Sequence, residues 1–330
     1  MSHDLQMARD SDDGSYNLAI GEPYVLRSNF LDWIDNETIK KPLIYPHIGG
    51  EPELIQEIKY IESMKYVVIT NGAKQAIEAA FYALAKQGKT SVNHQAPYWP
   101  SYPTLASNRG LEFDNGKVYR DEEVITVTSS PNNPDGRLDS GTFDIWDAVY
   151  AHPVYGFEDN KQIKAKIKIG SAAKMLGLSG CRVGWALTND ESIAKSMAHF
   201  IEITTSGVSI LSQMHVASVL SWMGRFKDSA TRLMKDARWE IRENGVEFKN
   251  YLGRMIEEYR GVPDSGVGMF AWFKVKQEKR FLEALDRSKV RLVTGQACGM
   301  EQPGWYRMSC GHRIDYTRAA LSQLNKEYYG

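Results

Sequence analysis

Apolar positions along the chain follow two rhythms. The β-branched runs Tyr66–Thr70 and Val124–Thr128, and the alternating run Lys166–Gly170, predict short strands. Between the first two, Ala76, Ile77, Ala80, Phe81 and Leu84 recur at helical spacing and predict a helix that opens just after Asn71-Gly72-Ala73-Lys74. Further helices are expected over Asn29–Lys40, from the Pro- and Gly-rich turn after Tyr45 through about Met64, from Asp190 to about Met223 with a break near Thr204–Ser209, and from about Asp228 to Met255. Ser91–His94 adds a strand, and Leu18–Pro23 enters the fold as strand or loop. After a loop at Gly261–Gly268, the tail reads as strand Met269–Val275, helix Glu278–Ser288, strands Val290–Val293 and Trp305–Cys310, and helix Tyr316–Tyr328. Strands alternating with helices predict an α/β protein.

Composition narrows the partners. A content of 42% hydrophobic and 25% charged residues is ordinary for a globular chain, and the formal net charge of -1 leaves no footprint for nucleic acid or an anionic membrane. A small-molecule partner is expected. Cys181, Cys298 and Cys310 are odd in number and lack metal-type spacing, and no His-Glu-x-x-His pair occurs. Met1–Asn17 is polar without the apolar core of a signal peptide, and no apolar run reaches membrane-spanning length, so a cytoplasmic location is expected.

The chemistry concentrates just past the strand ends, where ligands of open α/β sheets collect. Lys174 follows the strand Lys166–Gly170, with Ser171 before it, glycines at 177, 180 and 184 after it, and Arg182 among those glycines. An amine, a hydroxyl and an anion donor at this spacing suit an aldehyde cofactor that carries a phosphate; alone, a lysine in a Gly-rich loop is more often a solvated charge. The order of strand, Gly72 turn and helix points free N–H groups and the positive end of a helix dipole at one spot, as a phosphate site does and as many plain turns do. Pro97-Tyr98-Trp99-Pro100-Ser101-Tyr102-Pro103 carries three prolines, so a rigid loop without regular structure is expected there, its aromatics either closing the core or stacking on a flat ring. Asn132 and Asn133 turn the backbone or donate to a ring oxygen. Asp147, at the end of a short strand, can keep a pyridine nitrogen protonated. Arg307, inside a strand, needs a substrate carboxylate or a structural acid.

Taken in order, Asn71-Gly-Ala-Lys, Pro97-Tyr-Trp-Pro-Ser-Tyr, Ser130-Pro-Asn-Asn-Pro-Asp-Gly, Asp147-Ala-Val-Tyr150, Ser171-Ala-Ala-Lys-Met-Leu-Gly-Leu-Ser-Gly-Cys-Arg-Val-Gly-Trp and Tyr306-Arg-Met-Ser resemble the fold type I pyridoxal-phosphate enzymes, the aspartate aminotransferase superfamily. Within it the likeness is to the branch of alliinases and plant tryptophan aminotransferases, and it runs from about Leu18 to the C-terminus. The resemblance implies a large lobe with a mostly parallel central sheet flanked by helices, set at residues 46–255, and a small α/β lobe made of residues 1–45 with 256–330. It also implies pyridoxal 5'-phosphate as cofactor and a homodimer with shared active sites. Lys174 would be the Schiff-base lysine, Asp147 the partner of the pyridine nitrogen, and Asn133 and Tyr150 donors to the phenolic oxygen. The backbone of Gly72, Ala73 and Lys74, with Ser171 and Arg182, would hold the phosphate, and Trp99, or Tyr98 in its place, would stack on the ring. Arg307 would take the substrate α-carboxylate beside Gly21, and Tyr45 would reach the neighbouring subunit's phosphate.

The implied reaction is transfer of the α-amino group of an L-amino acid, with an aromatic donor in view, to a 2-oxo acid. A β-eliminating C–S lyase is the alternative, and a non-catalytic regulator that binds the cofactor is a remote one. The stretch from Asn133 to Asp147 is shorter than in the wider superfamily, so a helix or strand should be missing there.

Overall fold

The computed structural model describes residues 14–26, 44–116, 122–158 and 162–330. The helix expected over Asn29–Lys40 lies outside them. Among the described residues the strands are β1 (Tyr16–Asn17), β2 (Tyr66–Thr70), β3 (Ser91–Asn93), β4 (Glu112–Asp114), β5 (Val124–Ser129), β6 (Gly141–Asp147), β7 (Ile163–Ser171), β8 (Gly184–Thr188), β9 (Ile256–Gly261), β10 (Phe270–Val275), β11 (Val290–Arg291), β12 (Val293–Thr294) and β13 (Trp305–Ser309). Seven of them build one sheet in the order β2-β8-β7-β6-β5-β3-β4, in which only β8 runs against its neighbours. A second sheet, β12-β13-β10-β9, is antiparallel, and β1 pairs in parallel with β11.

The register brings the chemistry to one edge of the large sheet. Ser129 is level with Asp147, Asp147 with Ile169, and both Thr70 and Ser171 with Gly184. The turns that follow these strands therefore meet along a single line. Parallel neighbours are normally joined by a crossover helix. Here β5 passes to β6 through residues 130–140 with no helix between them.

Several elements differ from expectation, each for a physical reason. Tyr102–Ser107 is a short helix in the proline-rich stretch, because Pro103 sits in the first turn, where no backbone N–H is needed. The long helix Lys227–Leu252 gives way to a tight turn at Gly253–Met255. Then β9 forms, an edge strand whose four central residues, Glu257, Glu258, Tyr259 and Arg260, are exposed, so that it shows no alternation to read. The stretch Val262–Ser265, expected as loop, closes one helical turn. Strand β4 lies at one edge of the seven-stranded sheet with little burial. Strand β8 is buried at every position and likewise lacks alternation. A single apolar cluster links the large sheet to the small one, from Phe81, Tyr102 and Ile169 through Tyr150 to Phe270 and Phe281. No described helix is long and apolar enough to cross a membrane.

Gly170 shows how tightly the site is backed. It pairs with Trp185 across β7 and β8, and a Cβ at 170 would lie 2.0 Å from the Trp185 indole nitrogen. Trp185 is buried, so the clash falls on a packed indole ring. Gly170→Ala should cost about 3 kcal/mol through overpacking. Urea unfolding of the cofactor-free protein measures this, and an unchanged midpoint would contradict the packing.

Candidate active site

Lys174 lies in the one-turn helix Ala172–Met175, which Ser171 caps by accepting from Ala173 N at 3.3 Å. Its backbone is pinned by Tyr155, whose hydroxyl donates to the Lys174 carbonyl at 2.6 Å. The ammonium points back across the cavity and donates to the Gly21 carbonyl. Burial is the largest influence on its pKa and brings it down to about 8; Arg307 and Arg182 push the same way, against Glu22 and Asp147. A fraction of neutral, nucleophilic amine is thus present near neutral pH.

Asp147 closes β6. Tyr102 donates to its Oδ2 at 2.6 Å, Val149 N reaches its Oδ1 at 3.4 Å, and His94 stacks on Tyr102 with ring centroids 5.0 Å apart. Desolvation is still the largest influence on Asp147 and raises its pKa to about 6, with the Tyr102 hydrogen bond and Lys174 acting against it. A carboxylate buried in this way is incomplete without a cation, and a protonated ring nitrogen supplies one.

The cradle for an anion is built from two glycine contacts. The helix Ala73–Ala85 has Gly72 at its N-cap with φ 81° and no side-chain cap, so the first-turn N–H groups stay open. Arg182 covers that turn, donating Nη2 to Asn71 O at 3.2 Å and Nη1 to Ser179 O at 3.1 Å. A Cβ at Gly72 would lie 2.3 Å from Arg182 Nη2, and one at Gly184 would lie 2.7 Å from Ala73 N. Only glycine at 72 and 184 lets these groups converge. Lys74 places its ammonium 5.5 Å from the centroid of the Trp99 ring.

Arg307, at the centre of β13, is buried. It donates Nη1 to Asn133 Oδ1 at 2.8 Å and Nη2 to Ala19 O at 2.7 Å, lies 4.4 Å over the Phe270 ring, and leaves Nε with no partner. No carboxylate among the described residues offsets it, so an acid from outside the chain fits there. With Asn133 Oδ1 held by Arg307, the Asn133 amide nitrogen is left for another acceptor. Tyr150 packs edge-on against Tyr155 and Phe270, and its hydroxyl is 3.3 Å from where a Gly21 Cβ would stand.

These groups enclose a cavity of about 330 Å³. Of the residues singled out in the sequence, Gly21, Ala73, Lys74, Trp99, Asn133, Asp147, Tyr150, Ser171, Lys174, Arg182 and Arg307 line it. Gly72 stands just behind, against Arg182. Tyr98 turns away, packing on Phe113 and donating its backbone N–H to Cys298 O, so Trp99 is the aromatic of that pair on the cavity. Tyr45 is outside the cavity and 84% exposed. The sequence reading missed Tyr155, which no motif marks, took Tyr102 only as a loop aromatic for the core or a flat ring, where it instead bonds Asp147, and gave no role to Glu22, although Glu22 follows Gly21 directly.

The raised Asp147 pKa predicts a pH dependence of known sign. Between the unfolded value near 4 and the folded value of about 6, the native state holds a proton that the unfolded chain has lost. The stability from that proton is fully present below the window and is lost as pH rises through about 6. At pH 8, Asp147→Asn should therefore raise the melting temperature of the cofactor-free protein while weakening cofactor retention. A variant that melts lower at pH 8 would contradict this.

A family model described as allinase matches residues 59–326. The chain is 27% identical over 286 residues to tryptophan aminotransferase-related protein 2 of Arabidopsis thaliana, covering 74% of this chain and 63% of that one. It is 28% identical over 229 residues to an alliin lyase of Allium cepa var. aggregatum, covering 61% of this chain and 50% of the lyase. It thus spans less than two thirds of the length of either curated relative. Among solved structures, the aspartate aminotransferase of Thermotoga maritima superposes with TM-score 0.76 over 100% of both chains at 20% identity.

Proposed function

The chain belongs to the allinase family of fold type I pyridoxal-phosphate enzymes, and from that premise we propose that it is an aminotransferase, moving the α-amino group of an L-amino acid to a 2-oxo acid. The observation that carries the proposal is the convergence of the Lys174 amine, the Asp147 carboxyl and the unpaired Arg307 on one cavity. The residues fit the cofactor: the uncapped turn at Gly72–Lys74 with Arg182 suits its phosphate, and Asp147 its ring nitrogen. When bound, pyridoxal phosphate supplies an aldehyde that condenses with amines and a ring that accepts the electron pair left at Cα.

The chain's own residues do the rest. Lys174 Nζ would hold the cofactor through its aldehyde and, once a substrate amine displaces it, would carry the proton to and from Cα. Tyr102 holds the Asp147 carboxyl in place, Trp99 walls one side, and Arg307 orients the substrate α-carboxylate by its two-pronged fork. We propose an aromatic donor on the likeness to the tryptophan aminotransferase-related proteins. We further propose a small lobe of residues 1–45 with 256–330 working over a large lobe of residues 46–255, and a cytoplasmic location. A homodimer is proposed as well, with the exposed Tyr45 reaching the neighbour's phosphate cradle. Sedimentation of the holoenzyme checks this, and a fully active monomer would sink it.

The test of the reaction is the visible spectrum of the loaded protein with single L-amino acids. Bleaching of the cofactor band by one amino acid and its return with a 2-oxo acid establish transamination. Steady release of ammonia with the band intact would assign the β-eliminating reaction that the alliin lyase likeness offers.

A further inference from the structure

The turn at Gly72 has no side-chain cap of its own, yet one buried amide, that of Gln75, ties it to the body of the fold. Gln75 Oε1 accepts from Asn71 N at 2.7 Å, and Nε2 donates to Thr204 Oγ1 and Thr205 Oγ1, each at 3.2 Å. The two hydroxyls donate their own protons to carbonyls of the helix Glu191–Thr205, Thr204 to Phe200 O at 2.7 Å and Thr205 to Ile201 O at 3.2 Å. Toward Gln75 they can therefore only accept. That fixes which way the amide faces, nitrogen to the threonines and oxygen to Asn71.

Gly72 N donates to Thr70 O at 2.8 Å, the Thr70 hydroxyl donates to Gly72 O at 3.1 Å, and Ala76 N opens the helix by reaching Gly72 O at 3.3 Å. The N–H groups of Ala73, Lys74 and Gln75 are left as the open donors of the first turn. Asn71 is gripped at both ends: Gln75 takes its N–H, and its carbonyl accepts from Arg182 Nη2 at 3.2 Å. Backbone donors and guanidinium, the two halves of the cradle, thus take their place from the same residue.

We propose that Gln75 is the positioning residue of the phosphate cradle: it anchors Asn71 to the end of the helix Glu191–Thr205 and so aims the first-turn N–H groups and Arg182 at one phosphate before the cofactor arrives. The inference rests on the placing of the phosphate at this turn, and not on the fate of the amino group. Gln75 is not on the cavity wall, so its side chain acts through Asn71. A turn free to rotate has to be ordered when the anion binds, and that ordering is taken out of the affinity. A turn already fixed offers its donors at no such cost. A cap that served folding alone would affect every ligand of the site alike. A cradle-positioning role singles out the ligand that carries the phosphate.

The test compares pyridoxal 5'-phosphate with pyridoxal, which lacks the phosphate. Each is titrated into the cofactor-free protein and followed by the absorbance of its covalent link to Lys174. Gln75→Met, similar in length and in helix propensity, should weaken pyridoxal 5'-phosphate about tenfold and pyridoxal less than about twofold, on the scale of one hydrogen bond to a charged group. Thr204→Val with Thr205→Val, both at exposed positions, keeps Gln75 but frees its amide, and should weaken the phosphate ligand alone by about threefold. In both variants the phosphorus NMR resonance of the bound cofactor should move toward that of the free cofactor. Equal weakening of both aldehydes by Gln75→Met, or no change in either, would overturn the proposal. Were Gln75→Met not to fold, the threonine pair would decide in the same way. Wild type that holds the two aldehydes equally would sink the placing of the phosphate at this turn, and the proposal with it. Wild type that prefers the phosphate, with that preference intact in both variants, would overturn the role of Gln75 alone.

Discussion

Lys174→Ala should reduce turnover by about 10⁴-fold or more, because it removes the attacking amine and the proton carrier together. The protein should still fold. The Tyr155 hydroxyl bonds to the backbone carbonyl of residue 174, which alanine keeps, and the lost ammonium is one that burial disfavours. The cofactor should still enter, held through Arg182, the Gly72–Lys74 turn and Asp147, but without the absorbance that marks a covalent link to the chain. Single-turnover mixing with an excess of amino acid reads the loss directly. Activity within a hundredfold of wild type would mean that another group does this work. In the cofactor-free wild type, covalent uptake of the cofactor should speed up as pH rises toward about 8, where the neutral amine takes over.

Arg307→Ala should lower kcat/KM by about 10²–10³-fold, mostly by weakening substrate binding. The reason is geometric as much as electrostatic. Arg307 is held from two sides, by Asn133 Oδ1 and Ala19 O, over the face of Phe270, so its fork is already oriented before an acid arrives. Truncation removes the cation and leaves two buried acceptors unpaired. Arg307→Lys should recover only part of the loss, because an ammonium cannot reproduce a planar fork. The cofactor band checks that either variant still loads. An unchanged KM would show that the substrate carboxylate binds elsewhere.

Much of this was legible from residues. Strand runs with unambiguous β-branching, such as Tyr66–Thr70 and Val124–Ser129, and helices with a clean apolar stripe, such as Ala73–Ala85, announce themselves because burial on one face imposes a period. The motifs were readable for a related reason. Gly72, Gly170 and Gly184 stand where a Cβ would strike a side chain or the backbone, so the sequence carries a trace of the packing. Elements without a one-sided environment left no such trace: β9 and β4 lie on edges, and β8 is buried on both faces.

By itself, then, the sequence determined the fold class and the order in which the motifs follow one another, since each depends on local periodicity or on residue types at fixed spacing. Only the tertiary structure decided which groups meet. It put Arg307 against Asn133 across 174 residues, brought the Tyr155 hydroxyl to the Lys174 carbonyl, set Tyr102 on Asp147, and placed Glu22 on the cavity wall with Ser179. These contacts join residues far apart along the chain, and such pairs are fixed by sheet register and core packing, which no local pattern encodes.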